Sequence, residues 1–173
     1  LVLGVTLLDQ ADGGTTGALM DRARADAAIA VSSAIGYLDG RNLAEVFAWL
    51  RPTDLVWSFW VNNYLLGKAP PAFDVLYWNS DTTRMPARLH HDFLDLAVNN
   101  SLVTADQATA LGEPIDLAEV TQDAYLIGGE TDHITPWQSC YRTTGLLGGK
   151  SRFVLSTGGH IAAQVLPPDN AKA

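Results

Sequence analysis

The segment of residues 124–163 constrains the fold most, because it predicts a strand, an acidic loop, a helix, a strand and a histidine-bearing loop in succession. Residues 124–128 and 152–155 are short apolar runs that are typical of buried strands in a parallel sheet. Between them, Thr135 is predicted as the N-cap of a helix and Pro136 as its first residue. This order of elements favours the α/β class.

Asp132 and His160 directly follow the two predicted strands. Open α/β sheets place their chemistry at the carboxyl ends of the strands. An acid followed by a histidine is also the end of the nucleophile–acid–histidine order of α/β-hydrolase-type enzymes. Each residue has a structural alternative, Asp132 as a helix cap and His160 as a solvated loop residue. Because Thr135 fills the cap in this interpretation, we predict that Asp132 and His160 act together.

The nucleophile of such a triad is missing from the sequence. It requires a Gly-x-Ser-x-Gly or Gly-x-Cys-x-Gly turn, and none is present. Residues 13–17 fit Gly-x-Thr-x-Gly, but threonine is a weak nucleophile and a flexible glycine-rich connection explains them better. Cys140 lies mid-helix and is predicted to be buried and structural. We therefore expect a fragment whose nucleophile precedes Leu1.

Composition argues against several classes of protein. The net charge of −8, without a basic run, argues against nucleic-acid and anionic-lipid binding. No stretch approaches 18 consecutive apolar residues, and a single cysteine favours the cytoplasm. His90 and His91 point to different sides of any helix, and neither zinc-ligand spacing nor a phosphate-binding loop occurs. No metal and no cofactor are predicted.

The spacing of the sheet segments predicts an inserted cap. Residues 1–17 and 112–173 are assigned to the α/β core, with a central strand at 1–8 and a return to the sheet at 114–117. Residues 18–111 are assigned to a mostly helical cap over the active-site end of the sheet, since ordinary crossovers are much shorter. Helices are predicted near 18–34, 42–50, 54–66 and 86–100, and a short strand near 73–79.

Aromatic residues concentrate in this predicted cap. Nine of the fifteen lie between positions 47 and 78: Phe47, Trp49, Trp57, Phe59, Trp60, Tyr64, Phe73, Tyr77 and Trp78. One interpretation is an apolar roof that excludes water and grips an acyl chain. The alternatives are the ordinary core of the cap or a subunit interface.

Several long stretches resemble the carboxyl-terminal half of the catalytic domain of polyhydroxyalkanoate synthases, especially the type acting on medium-length 3-hydroxyacyl groups. The matching stretches are FAWLRPTDLVWSFWVNNYLLGKAPPAFDVLYWNSDTTRMP (47–86), GEPIDL (112–117), DHITPW (132–137), LLGGKSRFVLSTGGHIA (146–162) and PPDNAKA (167–173). The resemblance covers nearly the whole chain from about Gly36 onward. It implies a partial α/β-hydrolase fold with an inserted cap.

The resemblance also implies a Cys–His–Asp triad in which Asp132 is the acid and His160 the base. His133 matches the family motif as a supporting residue, whereas Cys140 does not match the family nucleophile. The implied partners are 3-hydroxyacyl-CoA and a growing polyester chain, with a homodimer at the surface of cytoplasmic polymer granules. The alternatives are an esterase or depolymerase on the same scaffold, and a non-catalytic polymer-binding domain.

Overall fold

The computed structural model describes residues 1–14, 17, 20–50, 52–70 and 81–165. They divide into two compact units, one formed by Leu1–Asp26 with Phe93–Ala173 and the other by Ala27–Asp92. The predicted strand at 73–79 and the matching stretch at 167–173 lie outside the described residues. The assignment of 18–111 as a cap over the active site stays a prediction.

Strands and helices follow one another along the described chain. In chain order they are β1 (Val2–Gly4), α1 (Arg22–Ile35), β2 (Tyr37–Leu38), α2 (Gly40–Leu50), two π-helical segments (Thr53–Trp57 and Trp60–Leu65), β3 (Met85–Pro86), α3 (Ala87–Asn99), β4 (Ala108–Ala110), β5 (Glu113–Ile115), β6 (Ala124–Gly129), α4 (Trp137–Arg142), β7 (Ser151–Ser156) and α5 (Ala162–Val165). Short 3₁₀ turns occupy Ser101–Val103, Leu117–Glu119 and Thr143–Gly145.

A parallel sheet in the order β1-β6-β7 organises the first unit. Its register places Leu126 opposite both Leu3 and Phe153. Strands β6 and β7 confirm the two runs predicted in the 124–163 segment, and the parallel sheet confirms the predicted α/β class.

The predicted central strand at 1–8 is wrong in length and in burial. Strand β1 ends at Gly4, and Val5 follows with a φ of 46°. Such a φ takes a β-branched residue out of the extended region, so the strand cannot continue. Val2 is 75% exposed, and β1 is an edge strand of the described sheet rather than a central one.

The core of the first unit forms where α4 packs against β6. Leu126 is 1% exposed on β6, and Cys140 is equally buried on α4. The ring of Tyr141 meets the ring of Phe153 edge-on, with their centroids 5.3 Å apart. The predicted burial of Cys140 is therefore confirmed. Helix α4 ends at Arg142.

The predicted return to the main sheet at 114–117 is also wrong. Strands β4 and β5 form a separate antiparallel hairpin. Its turn residues Leu111 and Gly112 have φ values of 54° and 88°. Positive φ at both central positions matches the twist of a tight hairpin, so this segment pairs locally.

The helices between residues 22 and 99 follow the sequence pattern more closely. Helices α1, α2 and α3 and the π-helical segments lie within the predicted ranges to within a few residues, and Gly67 (φ 62°) ends the last π-helical turn as expected. The buried residues of α1 are Ala25 and Ser32. On α3, the buried residue is His90, whose Nδ1 lies 2.9 Å from Ser32 Oγ.

Several of the aromatic residues on the segment 54–66 lie at the surface of its unit. Trp57, Trp60, Val61 and Tyr64 are 58%, 48%, 44% and 72% exposed, and the rings of Trp60 and Tyr64 stack at 4.5 Å. These four side chains therefore do not form the core of the unit. None of the helices in the described ranges is both long and apolar enough to span a membrane.

Truncating Leu126 is expected to destabilise the first unit strongly. Leu126→Ala removes a buried side chain from the middle strand of the described sheet and lowers the free energy of unfolding by about 2–5 kcal/mol. Leu111→Ala is the matched control, since Leu111 is fully exposed and the loss should stay within about 0.5 kcal/mol. Urea denaturation of a full-length protein containing this chain measures both, and equal losses would contradict the assigned core.

Candidate active site

The candidate site is built at the carboxyl edge of the sheet by the loops that follow β6 and β7. The backbone N–H of Glu130 donates to the carbonyl of Ser156 (2.8 Å), and that of Thr131 donates to the carbonyl of Gly158 (3.4 Å). A Cβ atom on Gly129 would lie 2.6 Å from the carbonyl oxygen of Gly158. Only glycine at this position allows the histidine loop to approach so closely.

This approach brings Asp132 and His160 into direct contact. Nδ1 of His160 lies 2.8 Å from Oδ2 of Asp132 across 28 residues of sequence. The Asp132 side chain is completely buried, whereas that of His160 is one-third exposed. The carboxylate accepts only, so it favours the imidazole tautomer with the proton on Nδ1. Nε2 is then left with a free lone pair and can act as a base.

Four donors stabilise the buried Asp132 carboxylate. Oδ1 accepts from the backbone N–H groups of Ile134 (2.9 Å) and Thr135 (3.0 Å), and Oδ2 accepts from the Thr135 hydroxyl (2.7 Å) and from His160. Burial raises the pKa of Asp132, but these hydrogen bonds outweigh it and hold the pKa below the ordinary value of 3.8. The acid of the pair is therefore ionised at neutral pH.

The role predicted for Thr135 as a helix N-cap is wrong. Helix α4 begins at Trp137 after Pro136, without a side-chain cap. The Thr135 hydroxyl instead donates to Asp132 Oδ2 and lies 3.2 Å from His160 Nδ1. Asp132 organises the loop through its backbone contacts and also binds the histidine. It does not cap α4, because both of its backbone donors precede the helix.

Two other residues singled out in the sequence, His133 and Cys140, form no hydrogen bond with this pair among the described contacts. His133 has an exposed side chain, and its supporting role stays a prediction. Cys140 is buried, with its Sγ 3.7 Å from the carbonyl oxygen of Thr135. Burial raises the pKa of the Cys140 thiol, which disfavours the reactive thiolate. Thr15 and Thr16 of the glycine-rich segment lie outside the described residues.

A charged network that sequence reasoning missed supports the loop after β1. Arg142 Nε donates to Asp9 Oδ2 at 2.6 Å, and Arg142 Nη2 donates to Ser139 Oγ at 2.6 Å. Ser139 Oγ in turn donates to the carbonyl of Asp12 (2.6 Å), which fixes the loop against α4. The only signal in the sequence was the position of Asp9 after an apolar run.

Asp9 is also held by Asn100, the residue that directly follows α3. Its Oδ1 accepts from the side-chain amide of Asn100 (3.0 Å) and from the backbone N–H of Ala11 (2.9 Å). Burial raises the pKa of Asp9, but the contacts to Ala11, Asn100 and Arg142 outweigh it, and the pKa is lowered. Farther along the loop, a Cβ on Gly14 would lie 2.8 Å from Pro136 Cγ. The loop after β1 therefore runs directly beside the Asp132 loop.

A cleft of about 450 Å³ opens between these loops and the end of α3. Its apolar lining includes Leu7, Met20, Ala97, Val98 and Ile134, and its polar lining includes Gln10, Asp21, Arg22 and Thr135. Because Thr135 also contacts Asp132 and His160, the cleft lies next to the pair. Within the described ranges, no three His, Cys, Asp or Glu side chains are grouped as metal ligands.

The model of the alpha/beta hydrolase fold family matches residues 13–163. The chain belongs to this family. Within it, the chain is 49% identical to poly(3-hydroxyalkanoate) polymerase 1 of Ectopseudomonas oleovorans over 173 residues, which is 100% of this chain and 31% of the relative. Polymerase 2 of the same organism is also 49% identical, over 98% of this chain and 30% of the relative. The poly(3-hydroxyalkanoate) polymerase subunit PhaC of Cupriavidus necator is 38% identical, over 99% and 30%.

These similarities confirm the resemblance and the partial alpha/beta hydrolase fold predicted from the sequence. The chain spans about a third of the length of these relatives and aligns with their carboxyl-terminal part. In the alpha/beta hydrolase fold, an acid and a histidine after two strands are the expected partners of a nucleophile elbow. The contact between Asp132 and His160 has the geometry that this arrangement requires.

Replacing Asp9 is expected to make stability depend less on pH. The folded-state pKa of Asp9 lies below its unfolded value, so its contribution is complete above about pH 5 and disappears as pH falls through the folded-state pKa. Asp9→Asn should therefore cost about 1–3 kcal/mol at neutral pH, and the difference from wild type should shrink near pH 3.

The melting temperature of a full-length protein containing this chain, followed from about pH 7 to about pH 3, measures this difference. Asp81→Asn is the control, because Asp81 is exposed and its replacement should leave the wild-type profile unchanged. A constant difference between Asp9→Asn and wild type across this range would contradict the proposed role of the Asp9 carboxylate.

Proposed function

We propose that the chain forms the acid–histidine part of the active site of a poly(3-hydroxyalkanoate) polymerase, an acyltransferase that joins 3-hydroxyacyl units into polyester. The observation that carries the proposal is the 2.8 Å contact between Asp132 and His160, in a chain 49% identical to such polymerases along its whole length. The nucleophile is a cysteine on a Gly-x-Cys-x-Gly elbow that precedes Leu1 in the complete enzyme.

The first half of the reaction loads an acyl group onto the cysteine. Nε2 of His160 takes the thiol proton, and the thiolate attacks the carbonyl carbon of a 3-hydroxyacyl-CoA thioester. The CoA thiolate leaves and takes the proton back from His160. Asp132 stabilises the imidazolium that exists between these two transfers and keeps the proton of Nδ1 in place.

The second half extends the polyester by one unit. His160 Nε2 takes the proton of the 3-hydroxyl group of a hydroxyacyl unit, and the hydroxyl oxygen attacks the thioester that carries the growing chain. An ester bond forms, and the cysteine leaves as a thiol after His160 returns the proton. Both halves use the same acid and base, and acyl-CoA enters as a substrate without any cofactor.

The cleft beside Thr135 provides a place for the acyl group. Its volume of about 450 Å³ lies in the range of small-ligand pockets, and side chains such as Leu7, Val98 and Ile134 offer apolar contact to a hydrocarbon chain. An apolar wall next to the acid–histidine pair also excludes water, which would otherwise hydrolyse the thioester. This property favours acyl transfer to a hydroxyl over hydrolysis.

Replacing either member of the pair is expected to abolish polymer formation. His160→Ala removes the base and Asp132→Asn removes the carboxylate that orients it, so turnover should fall by about 10³-fold or more. The assay follows CoA release from 3-hydroxyacyl-CoA and polymer mass with a full-length polymerase that contains this chain.

His91→Ala and Asp116→Asn are the matched controls, since both lie far along the chain from the pair and should retain activity. CoA release at the wild-type rate in His160→Ala or Asp132→Asn would overturn the assignment. Release of free 3-hydroxy acid without polymer from the unaltered enzyme would favour an esterase or depolymerase instead. A protein without CoA release or ester cleavage would be a polymer-binding domain.

The proposal includes a homodimer that works at the surface of cytoplasmic polymer granules. The supporting observation is the exposed apolar face formed by Trp57, Trp60, Val61 and Tyr64. Large aromatic side chains grouped at a surface are typical of protein–protein contacts, and a second copy of this chain would cover them. The proposal therefore adopts the subunit interface among the interpretations of the aromatic segment, and it places this interface on the π-helical segments.

Replacing two residues of this face is expected to weaken the dimer. The double variant Trp60→Gln/Tyr64→Gln removes the stacked pair and should raise the Kd of the dimer by at least about tenfold. Analytical ultracentrifugation measures this change as an average mass closer to that of the monomer. Trp49→Gln is the control, because Trp49 is 81% exposed but lies on α2, outside the apolar face. An unchanged mass of the double variant would exclude this face as the interface.

A further inference from the structure

Thr135 has two polar contacts that the reaction as proposed does not use. Its hydroxyl donates to Asp132 Oδ2 at 2.7 Å and lies 3.2 Å from His160 Nδ1. The same Oδ2 atom lies 2.8 Å from the same Nδ1 atom. The three atoms therefore form a closed triangle of hydrogen-bonding distances, with Thr135 at the third corner.

The hydrogens of this triangle have one consistent arrangement. A hydroxyl carries one proton, and the Thr135 hydroxyl gives it to the ionised Oδ2, its nearer partner. Its oxygen lone pairs are then free to face Nδ1. The Nδ1 proton consequently has two acceptors, Oδ2 at 2.8 Å and the Thr135 oxygen at 3.2 Å.

The second acceptor of the Nδ1 proton matters because packing contacts alone do not fix the orientation of the His160 ring. The His160 side chain is one-third exposed, so the ring keeps open space on one side. A rotated ring would present a C–H group in place of Nδ1–H and would leave both acceptors without that donor. The Thr135 hydroxyl thus stabilises the orientation in which Nε2 points away from Asp132.

Thr135 is well placed for this task because its backbone is fixed. Its N–H donates to Asp132 Oδ1 at 3.0 Å, and Pro136 follows it at the start of α4. The hydroxyl is therefore presented from a loop that the acid itself organises. Thr135 also lines the apolar cleft, which places it between the acyl site and the pair.

We propose that Thr135 is a positioning residue of this active site, whose hydroxyl holds the His160 ring and the Asp132 carboxylate in the orientation needed for proton transfer at Nε2. The inference rests on the proposed function, since it concerns the same acid–histidine pair. It assigns Thr135 no contact with the reacting atoms.

The test compares two substitutions at this position in a full-length polymerase that contains this chain. Thr135→Val keeps the shape of the side chain and removes the hydroxyl, whereas Thr135→Ser keeps the hydroxyl and removes a methyl group. Loss of a hydrogen bond to a charged group should lower kcat for CoA release by about 10- to 100-fold in Thr135→Val. KM for 3-hydroxyacyl-CoA should change by less than about twofold, because the ground-state binding contacts remain.

Thr135→Ser is expected to restore kcat to within about threefold of the wild-type value, since its hydroxyl reaches both partners. The rate of alkylation of the nucleophilic cysteine by iodoacetamide gives a second readout, because it reports how well His160 forms the thiolate. This rate should fall in Thr135→Val and recover in Thr135→Ser. Thr144→Val is the control, since its hydroxyl binds only the carbonyl of Tyr141 among the described contacts (2.7 Å).

Three outcomes would overturn the inference. They are a wild-type kcat in Thr135→Val, an equal loss in Thr135→Val and Thr135→Ser, and a rise in KM as large as the fall in kcat. The Asp132→Asn variant in the same assay distinguishes a failure of the inference about Thr135 from a failure of the proposed function. If Asp132→Asn is inactive and Thr135→Val is fully active, only the role of Thr135 is wrong, whereas an active Asp132→Asn would reject the proposed function itself.

Discussion

The parallel pairing of β6 with β7 is the constraint on which the candidate site depends. Because Gly129 pairs with Ser156, both strands end at the same level, and the loops that carry Asp132 and His160 leave the sheet side by side. The glycine at the end of β6 then allows the two loops to touch. A slip in this register would move one loop along the strand axis by about 3.3 Å per residue, more than the hydrogen bond between the pair can tolerate.

The free-energy cost of burying the Asp132 carboxylate explains the conformation of its loop. A carboxylate without water requires several donors, and the loop supplies two backbone N–H groups, one hydroxyl and one imidazole. The backbone donors come from the turn that leads into α4, so the acid shapes the turn and the turn stabilises the acid. The same four hydrogen bonds thus fix the local fold and orient Asp132 toward His160.

The sequence predicted those parts of the fold that local pattern determines. Strands β6 and β7 were found because their apolar runs are short and bounded, and the helices between residues 22 and 99 because their periodicity is clear. Strand β1 was overextended, since nothing in the run of residues 1–8 reveals that Val5 takes a positive φ. The hairpin of β4 and β5 was missed because an apolar segment does not specify which strand it pairs with.

The candidate site shows the same division between local and tertiary information. The positions of Asp132 and His160 after two strands predicted their contact, because parallel strands end at a common edge. The cap prediction for Thr135 was wrong because a threonine before a proline is a good local cap, and only the folded chain shows that its hydroxyl contacts both Asp132 and His160. The pairing of Asp9 with Arg142 spans 133 residues, and no local pattern indicates it.

Two carboxylates of this unit, Asp9 and Asp132, are lowered in pKa by similar means but differ in what surrounds them. Asp9 is paired with the guanidinium of Arg142, and this contact fixes the loop after β1 at neutral pH. Asp132 is paired with the imidazole of His160, which would take up and release a proton in the proposed reaction. Because Arg142 and Asn100 both hold Asp9, the loop after β1 would keep its position beside Asp132 and His160 while a proton passes on and off His160 in the proposed reaction.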